Sequence, residues 1–254
     1  MIQSNDIPPE FYTEHYYLQA CAGHEVFRRS GGREVDTVQR QALALADLRG
    51  GEVVLDLGSG RGEMLIACAL RGCRAWGIDY SPVAVKIAQQ AIAGVPEVAG
   101  RVHVEQMDVR RLRLPSAHFD VAFIMDLVEH LPQPDLVEAM DRVRDVLRPG
   151  GRLIVHTGPT LNFLRVGQHV KRVLYRLQGR ETPPLLTRDN QLRDAGHCNL
   201  QSRKRLARVL AAFDESRIWY QFTEANGAMY RWVARAGLTP LLAFNLWAIV
   251  RQST

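Results

Sequence analysis

The stretch VVLDLGSGRGEM, residues 53–64, places four apolar residues around one acid, then three glycines at alternate positions, then a glutamate where a helix begins. A short apolar run that ends in glycines is a buried strand entering a sharp turn. Glycines at 58, 60 and 62 let the backbone turn and come close to a ligand, and the helix that follows points its electropositive N-terminus at the same place. Such a loop suits a nucleotide. It is not the dinucleotide fingerprint G-x-G-x-x-G, because counting from Gly58 the third glycine belongs at position 63, where Glu63 stands. A carboxylate at the mouth of the helix repels a pyrophosphate, so the expected ligand carries no phosphates.

Outward from this loop, short apolar runs alternate with amphipathic stretches, the pattern of a doubly wound α/β sheet with helices on both faces. Strands are expected at 52–57, 74–79, 101–105, 120–125 and 152–157, and helices near 35–48, 61–71, 82–93 and 135–147. Arg148-Pro149-Gly150-Gly151 is a stop signal for the last of these helices. Residues 218–222 and 242–250 read as a final strand pair with a helix over 225–236 between them, giving seven strands in one mainly parallel sheet.

With 254 residues, 46% of them hydrophobic, the chain suits a single α/β domain with decorations. No apolar run approaches the roughly 20 residues that cross a bilayer, and MIQSNDIPPEFYTEHYY lacks the regions of a signal peptide, so a cytoplasmic protein is expected. Cys21, Cys68, Cys73 and Cys198 make no CxxC pair, which indicates neither a zinc cluster nor a disulfide scaffold. The net charge of +5 is local: residues 161–208 hold eleven Lys and Arg against three acids, and the rest of the chain is at −3.

Two further acids are expected at the carboxyl edge of the sheet. Asp79 ends the second strand and can accept two hydrogen bonds from a ribose diol, with Tyr80 beside it to lie against a purine. Asp108 follows the third strand and can accept from an adenine amino group. An acid after a strand also serves as a helix cap or turn residue. It is the ordered series behind a glycine loop that points to a nucleoside.

These motifs resemble the class I S-adenosylmethionine-dependent methyltransferases over about residues 50–157. VLDLGSGRGE is similar to the family's first motif, GIDYSPVAVKIAQQ to its ribose-binding strand end, MDVRRLRLPSAHFDVAFIMDLVEHL to its third and fourth strands, and VLRPGGRLIVHT to its fifth. The resemblance implies that Asp56, Gly58, Ser59, Gly60 and Gly62 cradle the methionine part of S-adenosyl-L-methionine, Asp79 the ribose, and Met107 and Asp108 the adenine, with Met125 and Asp126 beside the sulfonium. It also implies a Rossmann-like sheet of order 3-2-1-4-5-7-6 with the last strand antiparallel. Ser59 stands where many relatives have cysteine.

The flanking segments are then expected to supply the acceptor site. A helical lid over 1–32 brings Tyr12, Tyr16 and Tyr17 over the cofactor, or packs on the sheet edge for stability. The core over 50–157 is followed by an acceptor cover over 158–201 and by helices and strands over 202–254. In TLNFLRVGQHVKRVLYRLQGR, Phe163, Val166, Val170, Val173, Leu174 and Leu177 recur at helical spacing, and Arg165, His169, Arg172 and Arg176 run alongside. Ordinary packing with a solvated basic face explains this; so does contact of residues 161–180 with anionic headgroups or a phosphate-bearing acceptor. His197-x-Asn199-x-x-Ser202 resembles a motif of small-molecule and saccharide methyltransferases, although Ser202 also suits a helix cap.

Methyl transfer needs nucleophile, methyl carbon and sulfur held in line. A hydroxyl acceptor also needs its proton removed, which suits a histidine of pKa near roughly 6.5, and the candidates in order are His197, His130 and His15. Asp126, Glu129 and His130 are of metal-binding type, but EHL after the fourth strand is frequent in metal-free relatives, so no metal is expected. The expected activity is methylation of a small-molecule acceptor, at oxygen on a saccharide, lipid-linked or other biosynthetic intermediate, with N- or C-methylation as alternatives. An RNA methyltransferase is disfavoured by the lack of an RNA-binding appendage or an NPPY-like tetrad, and a nicotinamide oxidoreductase by Glu63. A noncatalytic nucleoside-binding module remains a rival.

Overall fold

In the computed structural model, which describes residues 7–222 and 233–253, strand β1 (Val53–Leu57) runs up the centre of a seven-stranded sheet. Val54, Leu55 and Leu57 have no exposed surface, as a strand covered by helices on both faces requires. β2 (Arg74–Asp79) and β4 (Phe119–Met125) flank it in parallel, with β3 (Val102–Gln106) beyond β2 and β5 (Leu147–Thr157) beyond β4. β7 (Asn245–Arg251) inserts antiparallel between β5 and β6 (Glu215–Gln221), so the order is β3-β2-β1-β4-β5-β7-β6, as the resemblance implies.

The helices α1 (His24–Ser30), α2 (Thr37–Ala46), α3 (Glu63–Leu70), α4 (Pro82–Ala93) and α5 (Gln133–Val146) precede a later group, α6 (Gln168–Leu177), α7 (Arg188–Ala195) and α8 (Arg203–Val209). Their local signals are plain. Asp36 and Gln39 form a reciprocal cap on α2, Ser81 caps α4 ahead of Pro82, and Ser202 caps α8 as its side chain accepts from Arg205 N. One core cluster joins β1, β4 and β5 to α5 and α8, and a second joins the other face to α2 and α3.

Two expectations need adjustment. Arg148–Gly151 does stop α5, but as an irregular insert at the start of β5: pairing to β4 jumps from Phe119↔Leu147 to Val121↔Arg152. The N-terminal segment is not one helix. A 3-10 turn at Pro9–Phe11, a π turn at Tyr16–Ala20 and then α1 replace it, because its aromatic side chains converge on a single cluster with Tyr80 and α4. The helix expected over 225–236 falls largely outside the described residues.

Candidate functional site

Sheet order reverses between β1 and β4, which opens a crevice at the carboxyl ends of the strands. A cavity of about 600 Å³ lies there. Register aligns its floor: Leu57 sits between Ile78 and Ile124, so the tips of β1, β2 and β4 end side by side. The glycine loop rises from this floor, Gly58 and Ser59 donating their N–H groups to Ile78 O. Gly62 has φ 83°, and a Cβ there would stand 2.9 Å from that of Ala88, so glycine is what lets α3 start against α4.

Most of the expected residues line this cavity: Tyr12, Tyr16 and Tyr17 from the lid; Asp56, Gly58, Ser59, Gly60, Asp79 and Tyr80 from the first two strand ends; Met107, Asp108, Met125, Asp126, His130 and His197 beyond them. The structure does not bring four others to it. His15 and Arg165 point outward, Gly62 serves the α3–α4 packing, and buried Asn199 accepts from Arg205 Nη2 at 2.5 Å behind the site.

Asp79 accepts from Gly60 N at 3.0 Å and Ser81 N at 2.9 Å, which fixes its carboxylate at the cavity wall. Burial raises its pKa to about 6 against the pull of those two N–H groups. Asp56 is pushed to about 8 by burial, with the nearby Glu63 and Asp79 charges adding to the effect. The oxygens of Asp108 are bound by Arg110 at 2.6–3.0 Å, so its side chain is already engaged rather than waiting for an amino group.

Glu63 departs from its sequence reading. Its charge does not face a ligand alone: Arg61 donates from Nη2 at 2.6 Å and from Nε at 3.0 Å, and both side chains are buried. The same guanidinium donates to Tyr17 O, Ala22 O and Cys21 Sγ, each at 2.8 Å, and lies over the Phe27 ring. Arg61 thus staples the lid to the glycine loop. Sequence reasoning missed it, because an arginine among glycines reads as solvated. Three further buried acids face the cavity: Asp56; Asp79, which accepts from backbone N–H groups; and Glu129, which accepts from Thr157 Oγ1. Among the described residues no arginine or lysine pairs with the latter two, so the cavity offers an incoming phosphate no cation from them.

Just past the tip of β4, Asp126 holds φ 53°, a left-handed conformation uncommon outside glycine. Its Oδ1 is 2.7 Å from Nδ1 of buried His156. Burial alone would raise the Asp126 pKa, yet the His156 partnership holds it below the usual carboxylate range and correspondingly raises His156. Glu129, with no exposed surface, accepts from Thr157 Oγ1 at 2.7 Å, and burial beside Asp126 drives its pKa upward. His130 is pulled down to about 3 by burial and by His197, and His197 to about 4 by burial, so both rings are neutral near pH 7. Their centroids are 4.9 Å apart; Nδ1 of His130 is 2.8 Å from the Tyr12 hydroxyl and Nδ1 of His197 is 2.8 Å from Gln191 Oε1.

The chemistry of these donors fits S-adenosylmethionine. Its ammonium and sulfonium charges match the buried acids, its diol matches Asp79, and it brings no phosphate into an acidic cavity. Residues 54–151 match the family model described as a methyltransferase domain. The chain is 32% identical over 131 residues to the mitochondrial ubiquinone biosynthesis O-methyltransferase of Schizosaccharomyces pombe, covering 49% of this chain and 46% of that one. It is 36% identical over 107 residues to 27-O-demethylrifamycin SV methyltransferase of Amycolatopsis mediterranei, covering 42% and 38%. The chain therefore spans less than half the length of these curated relatives. Among solved structures, geranyl diphosphate C-methyltransferase from Streptomyces coelicolor, in complex with Mg2+, geranyl diphosphate and S-adenosyl-L-homocysteine, superposes with TM-score 0.60 at 14% identity over 95% of this chain and 86% of that one. Phosphoethanolamine N-methyltransferase 2 of Haemonchus contortus, in complex with S-adenosyl-L-methionine, gives 0.63 at 14% over 98% and 60%. These likenesses speak to the fold.

Proposed function

We propose that this chain, whose residues 54–151 match a methyltransferase-domain model, is an S-adenosylmethionine-dependent enzyme that methylates a hydroxyl oxygen of a small-molecule biosynthetic intermediate, on a saccharide or lipid-linked acceptor. The observation that supports this most is the polarity of the cavity. Asp56 and Asp79, on β1 and at the tip of β2, suit the amino acid and nucleoside, while Asp126 at the tip of β4 and the paired rings of His130 and His197 line the same cavity with groups suited to the acceptor. When bound, S-adenosylmethionine supplies an electrophilic methyl group on a sulfonium.

The chain's own residues do the rest. Asp79 holds the diol and Asp56 faces positive charge. Asp126, kept ionised by His156, favours a cationic centre beside Met125. Tyr12, Tyr16 and Tyr17 cover the crevice and exclude water. Activation of the acceptor hydroxyl falls to the His130 and His197 corner, since His15 is outside the cavity. Incubation with S-adenosylmethionine and a panel of phenolic, saccharide and prenylated hydroxyl compounds should release S-adenosylhomocysteine. His197→Ala should lower turnover at least about tenfold with cofactor affinity unchanged; unaltered turnover would remove His197 from the reaction.

Contact with a membrane surface is the second part of the proposal. Val166, Val170, Val173 and Leu177 form an exposed apolar row along one side of the α6 region, and Arg165, His169, Arg172, Arg176 and Arg180 run beside it. Such a face suits an anionic bilayer, with arginine stems spread over apolar surface and their heads at the phosphates. It would bring a lipid-linked acceptor to the cavity edge, where Leu186 and Gln191 of the same insertion stand. Among the described residues no helix is long and apolar enough to cross a membrane.

A further inference from the structure

Glu129, His130 and His197 each offer one ligand-type atom, and these atoms all lie within 4.8 Å of one another. The outer partner of each imidazole is already set. Gln191 Oε1 can only accept, so His197 carries its proton on Nδ1 and leaves a lone pair on Nε2. His130 is held by the Tyr12 hydroxyl, 2.8 Å from its Nδ1, and by a hydrogen bond with the Gly196 backbone, so its ring is fixed where it offers a nitrogen to the cluster. This is how metal-bound imidazoles are oriented, with the second nitrogen fixed by an oxygen of the protein.

Glu129 is held in the same fashion. Thr157 Oγ1 donates to Oε2 at 2.7 Å and Gly158 N approaches Oε1 at 3.4 Å, which orients the carboxylate and leaves lone pairs on both oxygens. Two neutral imidazoles and one carboxylate are the donors of catalytic zinc and of non-haem iron or manganese sites, where open positions remain for a further ligand. Donors about 2.0–2.2 Å from one ion stand roughly 3–4 Å apart, so a small side-chain adjustment closes this set. All three residues line the cavity.

We propose that Glu129, His130 and His197 bind one divalent cation of the zinc, manganese or iron class, whose open positions face an acceptor oxygen. The cation would polarise the acceptor hydroxyl and lower its pKa, so that it loses its proton to solvent before the oxygen takes the methyl group and the S–CH3 bond breaks to leave the neutral thioether; His197 is then a ligand instead of the proton acceptor. The inference deepens the proposed O-methylation; the role rests on that reading, whereas the binding does not. The sequence expectation of no metal considered Asp126, Glu129 and His130 and set them aside because EHL after the fourth strand is frequent in metal-free relatives. It missed His197, which the fold brings in from the acceptor cover.

Co2+ titrated into the metal-stripped full chain, followed by its visible absorption, tests the binding without any turnover. One equivalent should bind, be displaced by Zn2+, and weaken at least about tenfold in both Glu129→Gln and His197→Asn, while Cys198→Ser binds as the wild type does. No saturable uptake of Co2+, Zn2+ or Mn2+ by the wild-type chain would overturn the proposal whatever the variants do. So would undiminished affinity in both variants, or loss of binding in Cys198→Ser. S-adenosylmethionine calorimetry on the same samples reads cofactor binding separately, so failure of the metal site and failure of the methyltransferase reading are told apart.

Discussion

The two segments that flank the cavity begin from similar sequence material and end differently. Residues 7–30 and 163–180 are both rich in apolar or aromatic residues interleaved with charge. In the first, Tyr12, Tyr17 and Phe27 are buried against α4, and Arg61 binds the backbone to the glycine loop. In the second, Phe163 and Leu164 are buried but Val166, Val170, Val173 and Leu177 are left at the surface, Leu177 at 79% exposure. Helical periodicity reports an apolar face and says nothing of what covers it. The lid has a partner inside the molecule; α6 presents its row to something outside it.

Breaking the staple should have the largest effect. Arg61→Ala leaves the Glu63 carboxylate buried and unpaired and frees the lid backbone, which should cost about 3–5 kcal/mol in urea denaturation together with most of the cofactor affinity. A loss under about 1 kcal/mol would mean the lid is held by its aromatic cluster alone.

The acids beneath the lid should give the cavity a pH signature. Asp56 and Asp79 have folded pKa values of about 8 and about 6, above the unfolded value of 3.8. The stability they contribute is fully present below the unfolded value and is lost as pH rises through about 6 and then about 8. Thermal unfolding of the ligand-free protein should therefore fall in temperature between pH 5 and 9, and Asp56→Asn should flatten the upper part of that curve. An unchanged slope in the variant would show that Asp56 titrates normally.

The smallest change in stability belongs to the outer face. Leu177→Glu should alter unfolding by no more than about 0.5 kcal/mol, because the side chain is exposed, yet should reduce cosedimentation with phosphatidylglycerol vesicles several-fold. Equal sedimentation of variant and wild type would leave the apolar row without its proposed role.

The sheet was legible because its strands are short apolar runs with strong punctuation: β2 and α4 have the expected bounds, and the other elements differ at their ends. The glycine loop and the strand-tip acid at the cavity were legible for a similar reason, since Gly58, Gly60 and Asp79 are placed by backbone turns and strand ends that local sequence dictates. The surroundings of the two cavity histidines were legible only in part. Gln191, which sets the His197 tautomer, and His156, which pairs with Asp126, act through tertiary contacts with no local signal. Glu63 was visible, but its neutralisation by Arg61 depends on lid carbonyls far away in the chain. Asp108 likewise showed its position and hid its engagement with Arg110.

Calorimetry with S-adenosylmethionine and S-adenosylhomocysteine, with NADH as control, tests the central claim directly. One equivalent of each sulfur compound should bind to the wild-type chain, NADH should not, and Asp79→Asn should weaken binding about tenfold or more through the lost diol contacts. Binding of NADH in preference, or Asp79→Asn affinity equal to wild type, would contradict the account.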